Sequence, residues 1–463
     1  MASNIESTIC RAAWDYPVLN LSNNEISMCC HSKHHKVTNE DIETLGTKLF
    51  TKYIPIKQAK TELLNGVQTA NCSYCWEIEN KGMKSSRTGL DGFTNYLADN
   101  NYFGTKDYKT IQHKLLNLTE EEKIDLAEKL DAPRNIEIAL GNTCDLKCMY
   151  CNEFFSSQWA VEKIKYKELD KSFMPTEITE HTTSKMEELW WDWFENQVSD
   201  KVWVIGFIGG EPLIIDKLYN YIDRILKKYE TANLTHPIYI SIVTNFNTPE
   251  AYFNKFLALV NKIAHVPWIT LDLSVSLESL GDRTEFIRTG SKWERINGNL
   301  IKLLTEINKL KAANVPSAEN KIVVNLMAAL NALCISDLPN FFNWVVNLQS
   351  TYNLPINIRG SQVVYPQWLS PGILPENYVN YIEQSIVILE NGKLANNKYL
   401  FGHWTNYIDH LKEVAKGIQN LNKDIAARKS FVHNIDLLTS RRNLDFNKTF
   451  PEMIEFYKIC EAL

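Results

Sequence analysis

The sequence predicts an α/β fold built on a parallel sheet. From about Asn135 onward, short bulky segments alternate with longer segments of helical period, which is the pattern of successive strand–helix units. The first two of those strands run straight into loops rich in cysteine or glycine, and α/β proteins keep their chemistry at the ends of parallel strands. The composition suits a globular chain of roughly two or three domains: 463 residues, 44% hydrophobic, 22% charged, net charge −6. No run approaches the roughly 20 apolar residues that span a bilayer. The start, Met1-Ala-Ser-Asn-Ile-Glu6, lacks the basic-then-apolar pattern of a signal peptide. Ten clustered cysteines point to metal ligation in a reducing cytoplasm rather than to disulfides, so a cytoplasmic location is expected. The mild acidity argues against a general nucleic-acid binder.

Taken in order, residues Trp14 to Met28 read as a hairpin: an apolar run, the turn Ser22-Asn-Asn-Glu25, then Ile26-Ser-Met28. Such a hairpin brings Cys10 and Cys29 together at its open end. A helix follows, capped at Thr38 with Asp41 reaching back, and a second stops at Asn65-Gly66. Cys72-Ser-Tyr-Cys75 comes next, a spacing that lets two sulfurs point inward from one turn. The first strand of the sheet is Ile136-Glu-Ile-Ala-Leu140, and a helix is expected around Thr183–Asn196 with Leu189, Trp190, Trp193 and Phe194 on its apolar side. The second strand, from Val202, ends at Gly209-Gly210-Glu211-Pro212, with a helix over Asp216–Tyr229 behind it. The third, Ile238–Val243, ends at Thr244-Asn245. The fourth, Trp268–Ser276, precedes a long helix from Trp293 to Ala313. The fifth, Ile322–Leu326 with an extension toward Ala329, and the sixth, near Ile356–Val364, are weak signals by themselves. Helices are expected at Glu376–Leu389 and His403–Asn420, and the stretch Leu444–Glu452 is less regular.

The densest chemistry lies in Gly141-Asn-Thr-Cys-Asp-Leu-Lys-Cys-Met-Tyr-Cys151. The spacing Cx3Cx2C offers three thiolates from one loop, with no fourth ligand. A structural zinc or an electron-transfer cluster wants four protein ligands. In the second strand's turn, Gly209 and Gly210 let backbone approach a ligand closely, and Glu211 can accept a hydrogen bond from an ammonium group. A strand ending in a tight turn is the bland alternative for that segment.

The cysteine run resembles the signature of the radical S-adenosylmethionine (SAM) enzymes, in which three thiolates hold a [4Fe–4S] cluster whose open iron chelates SAM. Tyr150 matches the aromatic favoured before the last cysteine. Gly209-Gly210-Glu211-Pro212 closely resembles that family's GGEP motif, which holds the SAM amino group. The resemblance implies a partial (β/α)6 barrel, with Cys144, Cys148 and Cys151 as cluster ligands. Further SAM contacts follow from it. Ser276 and Glu278 stand where many relatives read Ser-x-Asp, and Arg288 resembles the arginine that pairs with the SAM carboxylate. Asn245 is similar to the middle of the family's Thr-Asn-Gly turn, with Phe246 in place of the glycine.

Cys10, Cys29, Cys72 and Cys75 resemble the ligand set of the twitch domain, a smaller relative of the SPASM auxiliary-cluster domain. Asn24 stands where that family has the glycine of Gly-x4-Cys, a mild change because Asn tolerates left-handed turns. The continuation, Trp76-Glu-Ile-Glu-Asn-Lys-Gly82 and Ser85-Ser-Arg87, also looks like this group, although the domain usually follows the barrel. Zinc is the rival, because His31, His34 and His35 lie close to Cys29 and Cys30. Cys30 is the spare thiol or a replacement for Cys29, and Cys334 and Cys460 read as core thiols. The division implied is an auxiliary domain over 1–105, a helical linker over 106–132, the barrel over 133–370 and a helical extension over 371–463.

Such an enzyme would cleave SAM to a 5′-deoxyadenosyl radical that takes hydrogen from an unactivated C–H bond. A fully ligated second iron–sulfur cluster, of the [4Fe–4S] type, suits acceptance of the substrate's electron, so net oxidation of a peptide is the leading expectation. Alternatives are a small metabolite such as a sugar or aminocyclitol, an epimerase, or a metal-stabilised binding protein. The low-potential electron implies an external donor such as flavodoxin or ferredoxin.

Overall fold

The computed structural model describes residues 5–80, 85–87, 89–128, 133–170, 184–230, 232, 234, 236–313, 315, 321–392, 407–421 and 424–463. The fold is α/β with a large, mostly parallel sheet. Its strands are β1 (Val18–Asn20), β2 (Glu25–Ser27), β3 (His35–Lys36), β4 (Asn135–Ala139), β5 (Lys147–Cys148), β6 (Val204–Ile208), β7 (Ile238–Thr244), β8 (Ile269–Ser276), β9 (Arg288–Thr289), β10 (Ile322–Leu330) and β11 (Ile356–Gln362). The chain divides into two compact units, and β6 and β7 each cross the division: the first unit is Met1–Gly141, Glu177–Phe207 and Ala232–Tyr239, the second Asn142–Thr176, Ile208–Thr231 and Ile240–Leu463.

In the first unit the strand order is β3-β2-β1-β4-β6. The expected hairpin forms, with Val18 opposite Ser27 and Asn20 opposite Glu25. Asn24 takes a φ of 51° in the turn, the left-handed conformation that glycine and asparagine tolerate best. Trp14 departs from expectation. It lies in a helical turn, Ala12–Asp15, rather than in the hairpin arm, and its indole donates to the Leu126 carbonyl. The reason is Asp15, whose buried carboxylate accepts from Arg11, the Arg134 amide and Asn135 and so bends the chain before Pro17. The hairpin then joins the sheet, because β1 runs parallel to β4 with Val18 beside Glu137. The helix Asn39–Leu45 starts with the Thr38/Asp41 capping box, and Ile54–Leu64 ends at Asn65, both as the sequence implies. The start of the sheet is laced by Trp203 and Val204 amides on the Arg134 carbonyl and the Tyr239 amide on the Trp203 carbonyl.

In the second unit β7, β8, β10 and β11 are neighbours in that order. The weak fifth and sixth strands are both present and paired in parallel, Val324 beside Ile356 and Leu330 beside Gln362, so β10 is longer than its apolar core suggests. Gly360 permits this pairing, since a Cβ there would lie 2.1 Å from the Ala328 carbonyl oxygen. Helices cover the strands with apolar faces of helical period. In Asp216–Tyr229 the buried positions are Leu218, Tyr221, Ile222, Ile225, Leu226 and Tyr229. The helix after β9 runs Trp293–Ala312.

The C-terminal region contains Val379–Asn391, preceded by a 3-10 turn at Glu376–Tyr378, and Tyr407–Leu421. It also contains a helix that the sequence did not reveal, Ile425–Arg442, followed by a short helical turn at Phe446–Thr449 and a helix at Ile454–Glu461. The expected helix starts at Thr183 and His403 lie outside the described residues, as do Lys81, Gly82 and residues 129–132. No helix among the described residues is long and apolar enough to cross a membrane.

Candidate cluster and SAM site

The loop that follows the first parallel strand is held by its own side chains. Ser157 bonds both the amide and the carbonyl of Cys144, at 3.2 Å each, and its own amide donates to the Asn142 carbonyl. Ser156 donates to the Leu146 carbonyl at 2.6 Å while capping the helix Ser157–Lys165. Strand β5 pairs antiparallel with β9, which sets Cys148 directly opposite Arg288. Cys144, Cys148 and Cys151 are all half-buried, and all are free thiols. Burial pushes the Cys148 thiol up to about 12 and Cys151 to about 11, with the Arg288 cation acting in the opposite sense on both.

Glu211 is fully buried at the end of β6, and its carboxylate accepts from the Thr244 hydroxyl and the Asn245 amide at 2.6 Å and from the Leu213 amide at 3.0 Å. Burial raises it to about 7, and those donors oppose the rise. These bonds fasten the turn after β7 to the Gly209–Pro212 segment and leave a carboxylate of about four acceptor sites room for a further donor. Gly209 has a φ of 100°, and Gly210 packs against the cysteine loop so closely that a Cβ would sit 2.1 Å from the Thr143 carbonyl oxygen. That carbonyl accepts the Glu211 amide at 2.7 Å. Pro212 opens the buried 3-10 turn that follows.

Asn245 connects these parts. Its side-chain amide lies 3.9 Å from the Cys144 sulfur and donates to Asp145 at 2.8 Å, and Asn247 donates to the other Asp145 oxygen at 2.7 Å. Phe246 takes a left-handed φ of 58°, a conformation that glycine adopts more easily. The strain, roughly 1 kcal/mol, is offset by its fully buried ring, packed edge-on against Phe253 and Phe256.

On the far side of the cysteine loop, Arg288 pairs with Glu278 at 2.5 Å, and Tyr150 donates to the same carboxylate at 3.2 Å with its ring under the guanidinium. Ser276 ends β8, half-buried. The Arg288 Nε is buried without a partner, and its Nη1 lies 4.0 Å from the Cys148 sulfur.

Three residue groups escaped the sequence reading. Asp145 and Asn247 form the link just described. Arg442, from the missed helix, has a side chain that is 0% exposed and donates to Glu162 at 2.9 Å, to the Lys147 carbonyl at 2.8 Å and to Thr289 at 3.2 Å. Its guanidinium lies 4.3 Å from the Trp159 ring, whose indole donates to the Cys148 carbonyl. Third, Asp272 accepts from Asn325 and Arg359 at 2.8 Å each, deep in the sheet. A signal existed for this one: in β8 the polar residues Thr270, Asp272, Ser274 and Ser276 alternate with apolar ones.

In the first unit, Cys10, Cys72 and Cys75 are buried, Cys29 is half-buried and Cys30 is exposed. Burial pushes the Cys29 thiol up to about 12, and Cys10 and Cys75 lie near enough to add to the rise. Cys72 is raised by burial and by Cys29, Cys10 and Cys75 in turn. Arg87 ties the segment of Cys10 to the helix of Cys75: it donates to the Ser7, Thr8 and Ile9 carbonyls and pairs with Glu79 at 2.7 Å. Of the three histidines, His31 stacks on Tyr74 and His35 bonds Asn71. Among the described residues no three His, Cys, Asp or Glu side chains are already closed around a metal-sized centre.

The donors nevertheless suit the groups the sequence implies. Cys144 has the Leu146 amide at 3.5 Å and the Asn245 amide at its sulfur, and Cys148 has Arg288, the kind of donors a thiolate ligand takes.

No family model matches the chain. In sequence it is similar to the radical SAM cyclopropyl synthase TigE of Paramaledivibacter caminithermalis, 23% identical over 290 residues, 62% of this chain. The chain spans about half the length of that curated relative, 52%. Among solved structures, it aligns with Streptococcus suis SuiB bound to S-adenosylmethionine at 13% identity, covering 77% of this chain and 74% of that one, with a TM-score of 0.26 that is too low to argue from.

Proposed function

We propose that this chain is a radical SAM oxidoreductase that takes hydrogen from a C–H bond of a peptide and oxidises the product radical. The observation that carries the reading is the convergence in one unit of Cys144, Cys148 and Cys151 with the Gly209–Pro212 turn, Asn245 and Arg288. When bound, a [4Fe–4S] cluster supplies the electron that splits SAM into methionine and the 5′-deoxyadenosyl radical. The protein's own part is placement. The three thiolates hold the cluster, and Gly210 keeps the backbone beside Thr143 free of side chain. Glu211 anchors Asn245, and Arg288, with its unpartnered Nε, offers a donor to the SAM carboxylate. Ser276 and Glu278 flank that position on β8 and its following loop.

Cys10, Cys29, Cys72 and Cys75 would hold a second iron–sulfur cluster that accepts the substrate's electron. What supports this is that burial, with Cys10 and Cys75 nearby, raises both the Cys29 and the Cys72 thiols, while two of the zinc-type histidines are engaged elsewhere. The peptide substrate rests on the resemblance to twitch and SPASM relatives. An external flavodoxin or ferredoxin would deliver the first electron.

The test is anaerobic reconstitution followed by iron, sulfide and product analysis. About eight irons per chain are expected if both centres are [4Fe–4S], falling to about half when Cys144, Cys148 and Cys151 are all replaced by Ala. Dithionite and SAM should give slow release of 5′-deoxyadenosine from the wild type alone. Its absence from iron-loaded protein would remove the radical reading, and stoichiometric zinc at the N-terminal cysteines would remove the second cluster.

A further inference from the structure

Glu278 and Arg288 bracket one short helix, Gly281–Ile287, and their ion pair at 2.5 Å joins its two ends. The far end of the helix also holds the cysteine loop, because the Ile287 carbonyl accepts from the Met149 amide at 2.8 Å and Arg288 lies opposite Cys148. Where this helix rests therefore decides where the Arg288 guanidinium is aimed. The helix and the residues that grip it belong to the second unit.

Its outer face is gripped by the C-terminal segment. Arg283 and Phe286 are three positions apart and so share a face of the helix. The Arg283 guanidinium takes both oxygens of Glu452, at 2.8 and 2.9 Å, and lies 5.3 Å from the Phe450 ring. Phe286 meets that same ring edge-on at 4.9 Å. Ser336, in the turn after β10, accepts from Arg283 at 2.9 Å and donates to Glu452 at 2.6 Å. Its neighbour Asp337 accepts the Leu280 amide, at the start of the helix, at 3.1 Å.

The rings and the ion pair do different things. Phe286 and Phe450 are 2% and 0% exposed, and their burial supplies the cohesion. The Arg283 and Glu452 side chains are 21% and 24% exposed, so solvent screens their attraction and the pair adds less to stability than the rings do. Its geometry is specific all the same, because a planar fork on a carboxylate fixes orientation as well as distance. The group this fixes in place is Arg288, buried at the end of the same helix with its Nε unpartnered.

We propose that Glu452 is a positioning residue for SAM binding: through Arg283 it fixes the helix Gly281–Ile287 so that the Arg288 Nε is aimed at the SAM carboxylate. The inference deepens the function above and rests on its assignment of Arg288 to that carboxylate.

The experiment measures binding of two probes, SAM and decarboxylated SAM, to iron-loaded full-length protein without reductant, by isothermal titration calorimetry. The probes differ in the carboxylate, so general loosening of the site weakens both, whereas a misaimed Arg288 weakens SAM alone. Glu452→Gln should narrow the wild-type preference for SAM about tenfold, the scale of one charge-assisted hydrogen bond. Arg283→Lys, which keeps the charge and loses the fork, should narrow it in the same direction, and it decides the matter if Glu452→Gln does not fold. A wild type without preference, equal weakening of both probes, or a folded variant that keeps the whole preference overturns the proposal. Arg288→Gln is the control. If it leaves the preference whole, the assignment of Arg288 to the SAM carboxylate falls and the proposal with it. If it narrows the preference and the Glu452 and Arg283 variants do not, the positioning role alone falls.

Discussion

Replacing Arg442 by Ala should loosen the cysteine loop from a position 295 residues distant in sequence from the carbonyl it holds. The Arg442 side chain is 0% exposed and Glu162 only 4%, so the pair is a buried one. Removing one partner of such a pair costs about 3–5 kcal/mol, because the other charge is left without its match. Glu162 keeps the Lys147 ammonium at 2.5 Å, which lessens that penalty. Against this, the Lys147 carbonyl and Thr289 lose a donor, about 1 kcal/mol for a typical bond, and Trp159 loses its stacked cation. A net loss of about 3 kcal/mol is expected, read as a lower guanidinium midpoint at unchanged slope.

The pH dependence gives a second reading of the same contact. Burial pushes the Glu162 carboxyl up, but hydrogen bonds from Arg442 and Lys147 more than reverse it and hold it below its ordinary 4.5. A depressed carboxylate stabilises the fold above its unfolded pKa and ceases to do so as pH falls through the folded value. The gap between wild type and variant should therefore be widest near neutrality and narrow below about pH 4.5. Because Trp159 and Arg442 both bond the backbone around Cys148, iron content after reconstitution should drop as well. A variant with unchanged midpoint and full iron content would refute the clamp.

Gly210→Ala should cost soluble yield or iron loading severely, since its Cβ would meet the Thr143 carbonyl oxygen at 2.1 Å and neither backbone can yield without moving Cys144; normal iron content in that variant would show that the loop accommodates it. Lys60→Met should stabilise the protein, because Lys60 is 0% exposed, its amine has no hydrogen-bond partner and only the Trp14 ring at 5.6 Å, and burial lowers it to about 7. Between that value and 10.5 the unfolded chain binds the extra proton, so wild-type stability should rise with pH through this window and the benefit of Met, about 3–5 kcal/mol at pH 7 and below, should shrink toward pH 10.5; an equal benefit at both ends would contradict the buried neutral amine.

Much of the fold was legible because its signals are local. Strand alternation, helical period and cap chemistry involve residues a few positions apart, so β4, β6 to β8 and the Thr38 capping box could be read directly. The left-handed turn at Asn24 could be read as well, since it follows from one residue's conformational range. The cysteine spacing and the glycine pair were equally local, because their chemistry is set by residue type and interval.

The missed parts share a different origin. The helix Ile425–Arg442 buries Ala427, Phe431, Ile435 and Leu438, but its charged remainder obscures that stripe, and only packing selects it. No interval in the chain announces that Arg442 meets Glu162, or that Asn245 spans Asp145 and Glu211. Glu211 shows the division most clearly. Its residue type and position were evident in the sequence, but its hydrogen bonds were not, and the tertiary structure commits its oxygens to Thr244, Asn245 and Leu213. Sequence determined which groups stand at the strand ends, because that depends on local period. Which atoms they hold was decided only when distant segments were brought within a hydrogen bond's reach.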